Sequence, residues 1–154
     1  MGARKHESLR GILDSMGSYE FFDHAADVGI RIRAGSPEDL FLTAGQALMA
    51  WIGPKPSGPP IEHSVSVAAE DLEDLLVRWL QEVLCDFQLR HAYFTGAREI
   101  AVDVVLSKLD ALALGSVWDE EHCREFQEVK AITYHKLKVE RQGSVWAANV
   151  ILDV

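Results

Sequence analysis

Leu72, Leu75, Leu76, Trp79, Leu80, Val83, Leu84 and Phe87 recur at the i, i+3, i+4, i+7 spacing of a single helix face. The pattern predicts a long amphipathic helix from Asp71 to Leu89. Asp71, Glu73 and Asp74 fall in its first turn, where carboxylates favour the positive end of the helix dipole. An apolar stripe of this length must be covered by another layer of structure. A second helix is signalled by Ser36-Pro37, an N-cap residue before a proline suited to the first helical position. Leu40, Phe41, Ala44, Ala47, Leu48 and Trp51 follow at helical spacing, and Gly53, Pro54, Pro56, Gly58, Pro59 and Pro60 end the helix in an irregular loop.

The remainder reads as strands. Val28, Ile30, Ile32 and Ala34 alternate with Gly29, Arg31 and Arg33, the period of a half-buried strand. Val65, Val67 and Ala69 alternate likewise. Ile100, Val102, Val104 and Leu106 predict a strand with a partner around Ala111–Val117. Asp119–Glu128 is acidic and fits a short helix. Leu137 and Val139 alternate with Lys136, Lys138 and Glu140, Gln142-Gly143 supplies a turn, and Ser144–Val154 returns as a last strand. Both faces of that last strand are mostly apolar, as in an interior strand. Two helices followed by hairpin-like strands predict an α+β fold, with the helices packed on a largely antiparallel or mixed sheet. The spacing leaves the strand order open. Residues 1–18 lack sustained periodicity beyond Leu9, Ile12 and Leu13 and read as an extension, with the domain over residues 19–154.

Composition narrows the function classes. A chain of 154 residues is long enough to bury a core without disulfides. No apolar run approaches the roughly 20 residues that span a bilayer, and the first residues carry no apolar signal core. Cys85 and Cys123 are the only cysteines and lack metal-type spacing. They fit a reducing, cytoplasmic setting and argue against a thiolate zinc site. The net charge is −9. Lysines and arginines are scattered without a basic, aromatic-rich cluster, which argues against tight direct nucleic-acid binding. An acidic balance suits a metal site or a basic protein partner.

The chemistry-bearing residues gather near the ends of two strands. Asp153 ends the last strand, next to Val154 and its terminal carboxylate. Negative groups that close repel unless a cation or a basic side chain compensates them. Asp27 precedes the first clear strand with the parity of Gly29 and Arg31, and His24 lies three residues earlier. If the first and last strands are neighbours, Asp27, Asp153 and the Val154 carboxylate converge on an oxygen-rich set suited to a hard divalent cation. The competing reading is that Asp27 caps a turn and Asp153 is a solvated strand end. His135 is placed for acid–base work or for a structural hydrogen bond. Lys130 is placed to pair with Asp27 or Glu128, or to be solvated. Trp51, Trp118 and Tyr93 are interface candidates, with buried packing as the default. No nucleophile with a matching base, glycine-rich phosphate loop or thiolate zinc motif is present.

Four segments carry a resemblance to a known family. Tyr19–Ile30, with His24-Ala25-Ala26-Asp27-Val28-Gly29-Ile30, resembles the N-terminal motif of the archeases, with Ala25 where many members have threonine. Asp71–Leu84, with Leu75-Leu76-Val77-Arg78-Trp79-Leu80, resembles the family's long helix, Glu128–His135 its most distinctive motif, and Val150–Val154 its ending. The resemblance covers about Tyr19–Val154 and implies an archease-like fold. It further implies a cytosolic, non-enzymatic accessory protein that activates the GTP-dependent RNA ligase of tRNA splicing and RNA repair. Such a protein promotes guanylylation of the ligase's active-site histidine and allows the ligase to turn over repeatedly. The family's metal site maps onto Asp27, Asp153 and Val154. The expected cofactor is a divalent cation, calcium in the isolated site, with magnesium or manganese as alternatives. His24, Lys130 and His135 match motif positions without an assigned chemical role. The rival functions are a metal-dependent phosphoesterase using His135 as acid or base, and a general protein chaperone or scaffold without a metal.

Overall fold

The structure is a computed structural model and describes residues 17–154. The expected extension over residues 1–18, with its helical turn through Leu9, Ile12 and Leu13, lies outside the described residues except for Gly17 and Ser18. Ser18 already belongs to the first strand.

Strands β1 (Ser18–His24) and β2 (Asp27–Ala34) form a hairpin, followed by helix α1 (Pro37–Ile52). Strand β3 (Pro60–Ala68), helix α2 (Leu72–Arg90), β4 (Ala92–Asp103) and β5 (Lys108–Val117) come next. A 3-10 turn over His122–Glu125 leads to β6 (Ala131–Gln142) and β7 (Val145–Asp153). The strands divide into a four-stranded sheet ordered β1-β2-β7-β6 and a three-stranded sheet ordered β3-β5-β4. Every pairing is antiparallel. The α+β expectation of two helices on antiparallel strands therefore holds, with two sheets sharing one core.

Local chemistry fixes the helices as expected. The Ser36 side chain accepts from the Asp39 N–H at 3.1 Å and Pro37 opens α1. The Asp71 side chain accepts from the Asp74 N–H at 2.7 Å and caps α2. The apolar faces of both helices are buried: Leu40, Phe41 and Leu48 from α1, and Leu75, Leu76, Trp79 and Leu80 from α2. They join Ile30, Ile32, Val150 and Leu152 of the larger sheet and Val65, Phe94 and Leu109 of the smaller one in a continuous core. Trp79 is fully buried, and its indole N–H donates to the Phe41 carbonyl at 2.8 Å, tying α2 to α1. Burying a large apolar side chain contributes roughly 1.5–3 kcal/mol.

Two stretches depart from the alternation. β4 starts at Ala92, immediately after α2, and stops at Asp103 rather than reaching Leu106. Asp103 Oδ1 accepts from the Val105 and Leu106 N–H groups at 3.0 and 2.9 Å, so the side chain captures these donors and the chain turns. Val105 is left 87% exposed. β1 went unmarked because it is an edge strand with its apolar residues Tyr19 and Phe21 exposed. Of the interface candidates, Trp118 and Tyr93 are buried and Trp51 packs partly against the core.

Candidate functional site

The larger sheet packs one face on the helices. Val28, Ile30, Ile32 and Ala34 of β2 and Ala148, Val150 and Leu152 of β7 point into the core. By the strand period, Asp27, Gly29, Arg31 and Arg33 belong to the opposite face, with Ala147, Asn149, Ile151 and Asp153 of β7. Gly29 pairs with Phe22 on one side and Ile151 on the other. A Cβ at position 29 would collide with the Phe22 ring, so the ring lies over the glycine. The Arg31 guanidinium sits 4.2 Å from the Phe22 ring centroid and donates to Glu20 at 3.2 Å.

Register brings the carboxylates together. His24 pairs with Asp27 across the β1–β2 hairpin, whose turn holds Ala25 at φ 52°. Val28 pairs with Leu152, and the same register carried one residue further sets Asp27 opposite Asp153. On the other side of β7, Ala131 pairs with Asp153, and the Lys130 N–H donates to the Asp153 carbonyl at 2.8 Å. Val154 is half-buried and packs against the core. Neither Asp27 nor Asp153 has an ion-pair partner among the described residues, and the Lys130 ammonium pairs with neither Asp27 nor Glu128.

His24 and His135 complete this end. They come from the two edge strands of the sheet, yet their ring centroids are 5.2 Å apart. Their meeting depends on a bulge in β6, where pairing with β7 shifts register between Thr133 and Lys138 and Lys136 takes φ 50°. The first turn of α2 brackets this bulge: Tyr134 donates its hydroxyl to Asp74 Oδ1 at 2.7 Å, and the Val139 N–H donates to Glu73 Oε1 at 3.2 Å. The Tyr134 hydrogen bond holds the Asp74 carboxyl below its ordinary value, helped by the Glu70 N–H and by Arg78 and opposed by partial desolvation. The same bond pushes the Tyr134 phenol upward. His24 Nδ1 is buried without a hydrogen-bond partner among the described residues. An unpaired buried polar atom is costly.

Residues 19–154 match the sequence profile of the Archease protein family. The chain belongs to the archease family. It is 33% identical over 140 residues to "Protein archease" of Methanopyrus kandleri, covering 88% of this chain and 99% of that protein. It is 30% identical over 142 residues to "Protein archease" of Methanosarcina barkeri, covering 88% and 95%. The solution structure of Methanobacterium thermoautotrophicum protein 1598 matches with a TM-score of 0.70 at 26% identity, over 88% of this chain and 98% of that one. A Thermotoga maritima archease, described as a possible chaperone, shares the fold with a TM-score of 0.57 at 22% identity, over 86% and 94%.

Within this archease-family chain, Asp27, Asp153, Val154, His24, Lys130 and His135 lie at one end of the larger sheet. Lys130 meets this end through its main-chain N–H, which donates to the Asp153 carbonyl. Among the described residues no set of three or more His, Cys, Asp or Glu side chains is placed to hold a metal ion. The register sets the carboxylate residues Asp27 and Asp153 on neighbouring strands, with Val154 next in the chain. Oxygen donors of this kind suit a hard cation. Sequence reasoning missed Phe22, Tyr134 and Asp74 as supports of this end. The signal for Phe22 was Gly29, a glycine inside a strand, which marks close approach by a neighbour.

Proposed function

We propose that this chain is a non-enzymatic activator of a GTP-dependent RNA ligase of tRNA splicing and RNA repair, acting in the cytoplasm. It promotes guanylylation of the ligase's active-site histidine and repeated turnover. Family membership supports this reading, and the observation that carries it to particular residues is the juxtaposition of Asp27 and Asp153 beside the orphaned His24 Nδ1. In this reading Asp27, Asp153 and the Val154 carboxyl group hold a divalent cation, calcium in the isolated protein, with magnesium or manganese able to replace it.

The bound cation supplies a positive centre that orients phosphate oxygens at the ligase's nucleotide-binding mouth. The chain's own residues do the rest. The two carboxylates set the negative charge that meets a basic mouth. The His24–His135 contact closes the end of the sheet, and Tyr134 with Asp74 keeps the β6 bulge in place. No tight direct contact with RNA is required, in keeping with a net charge of −9. The test is guanylylation of the cognate ligase with and without this protein. Stimulation that is lost in Asp27→Ala and Asp153→Ala is expected. An unstimulated ligase sinks the reading, and hydrolysis of model phosphodiesters by the protein alone would replace it with a phosphoesterase.

A further inference from the structure

Beside the carboxylate end lies a second feature that the metal reading does not use. A cavity of about 270 Å³ opens between the C-terminal half of α2 and the segment joining β5 to β6. Its wall is aromatic: Phe87, Trp118 and Phe126 lie with ring centroids 5.1–5.6 Å apart. Gln88, Cys123 and Glu128 are exposed and belong to its lining. The wall is held firmly, since the Trp118 indole N–H donates to the Phe87 carbonyl at 3.0 Å and His91 stacks on Trp118 with centroids 4.0 Å apart. The connecting segment is anchored too, through the Gln127 N–H to the Ile52 carbonyl at 2.7 Å and the Gln127 side-chain amide to the Trp51 carbonyl at 2.9 Å.

Charge selects the occupant. Residues 119–128 contain Asp119, Glu120, Glu121, Glu125 and Glu128 against Arg124 as the one lysine or arginine. Glu128 has no ion-pair partner among the described residues. A rigid aromatic wall with a free carboxylate at its lip matches a guanidinium, which stacks on aromatic rings and forks onto carboxylates. Acidic and lipid-phosphate partners are repelled by the same rim. Glu128 is two residues from Lys130, whose N–H binds the Asp153 carbonyl, so the chain leads from this groove directly to the carboxylate end.

We infer that this groove receives an arginine side chain of a protein partner, as a second contact point next to the Asp27–Asp153 end. The partner's identity rests on the ligase reading; the chemistry of the groove does not. The experiment titrates the full chain with a short neutral-flanked arginine peptide and its citrulline analogue, read by NMR at the Trp118 indole N–H and the Gln88 and Gln127 side-chain amides. The arginine peptide is expected to shift these signals saturably and the citrulline peptide to leave them in place. Glu128→Gln is expected to weaken the arginine peptide by up to about fivefold, the upper end for an exposed ion pair. Equal shifts with citrulline, unmoved Trp118, or full affinity in Glu128→Gln would each overturn the inference. A final arm assays ligase stimulation by Glu128→Lys, with metal affinity measured alongside. A loss of stimulation at unchanged metal affinity places the groove in the partner contact. Full stimulation by this variant overturns the partner assignment while leaving the metal reading intact.

Discussion

The Tyr134 hydroxyl donates to Asp74 Oδ1 at 2.7 Å, joining the bulge of β6 to the first turn of α2. Asp74 Oδ2 meanwhile accepts from Arg78 Nε at 3.0 Å and the Glu70 N–H at 3.2 Å, so the carboxylate is fully engaged. Removing the phenol hydroxyl in Tyr134→Phe should cost only about 0.5–1.5 kcal/mol, the net worth of a typical hydrogen bond. The ring of His135 should nevertheless lose its fixed place beside His24. Cross-relaxation between the two imidazoles, strong in the parent, should fade in Tyr134→Phe and survive in Asp74→Asn, whose amide oxygen still accepts. An unchanged imidazole contact in Tyr134→Phe would show that the bulge stands without this bond.

The same pair predicts a pH signature. The Asp74 carboxyl titrates below its ordinary value in the folded chain, chiefly because Tyr134 donates to it. Its contribution to stability is complete above the unfolded carboxylate value of about 3.9 and disappears as pH falls through the lower folded value. Tyr134 is shifted upward, so its contribution is complete below about 10 and is lost as pH rises through the higher folded value. The difference in melting temperature between the parent and Tyr134→Phe should be flat from pH 5 to 9 and shrink toward both extremes. A difference that grew in acid would contradict the sign.

Asp27→Ala and Asp153→Ala should each sharply lower calcium affinity measured by calorimetry and remove ligase stimulation. Stability without metal should hold or rise slightly, because the two carboxylates oppose each other with no ion-pair partner among the described residues. The double variant should lose little beyond either single one, since both disable one site. Normal stimulation by Asp27→Ala would remove that residue from the site.

If the Val154 carboxyl group is the third oxygen ligand, placing two glycines after it replaces a charge with a peptide carbonyl. Calcium affinity should fall, while Asp153→Ala should lower it further. The fold should persist, because Val150 and Leu152 stay buried. Equal affinity with and without the glycines would exclude the carboxyl group and leave the Asp27–Asp153 pair open.

Trp79→Ala should cost about 3–5 kcal/mol, the usual range for truncating a buried aromatic. The indole hydrogen bond to the Phe41 carbonyl, which ties α2 to α1, is lost with it. A chemical denaturation curve measures this directly, and an unaltered midpoint would contradict the burial of this helix face.

Much of the fold was written in periodicity. The α2 stripe, the Ser36-Pro37 start and the alternation of β2 were legible because their apolar residues face a single core, and β7 was legible because an interior strand is apolar on both faces. β1 was not, because an edge strand that buries little leaves no period to read, with Tyr19 and Phe21 exposed. Nor was the first half of β4, where Ala92, Tyr93 and Phe94 are buried consecutively and erase the alternation. The nearness of Asp27 to Asp153 was legible only conditionally. Each lies at a strand end, but the pairing of β2 with β7 is a long-range choice that local sequence does not encode. The β6 bulge stayed hidden because Glu73 and Asp74, which hold it, lie about 60 residues away along the chain.

β7 is the last strand along the chain, and it occupies an interior position between β2 and β6. During folding, β2 and β6 therefore each keep a hydrogen-bonding edge open until β7 is placed between them. The earlier helices can form locally, but the larger sheet closes only when residues 145–153 insert into the slot. Such late, distant pairing slows folding and leaves strand edges open to foreign chains in the meantime. A variant lacking residues 145–153 should be protease-sensitive and prone to aggregation. Insertion of β7 between β2 and β6 is then the event that commits the larger sheet to its native topology.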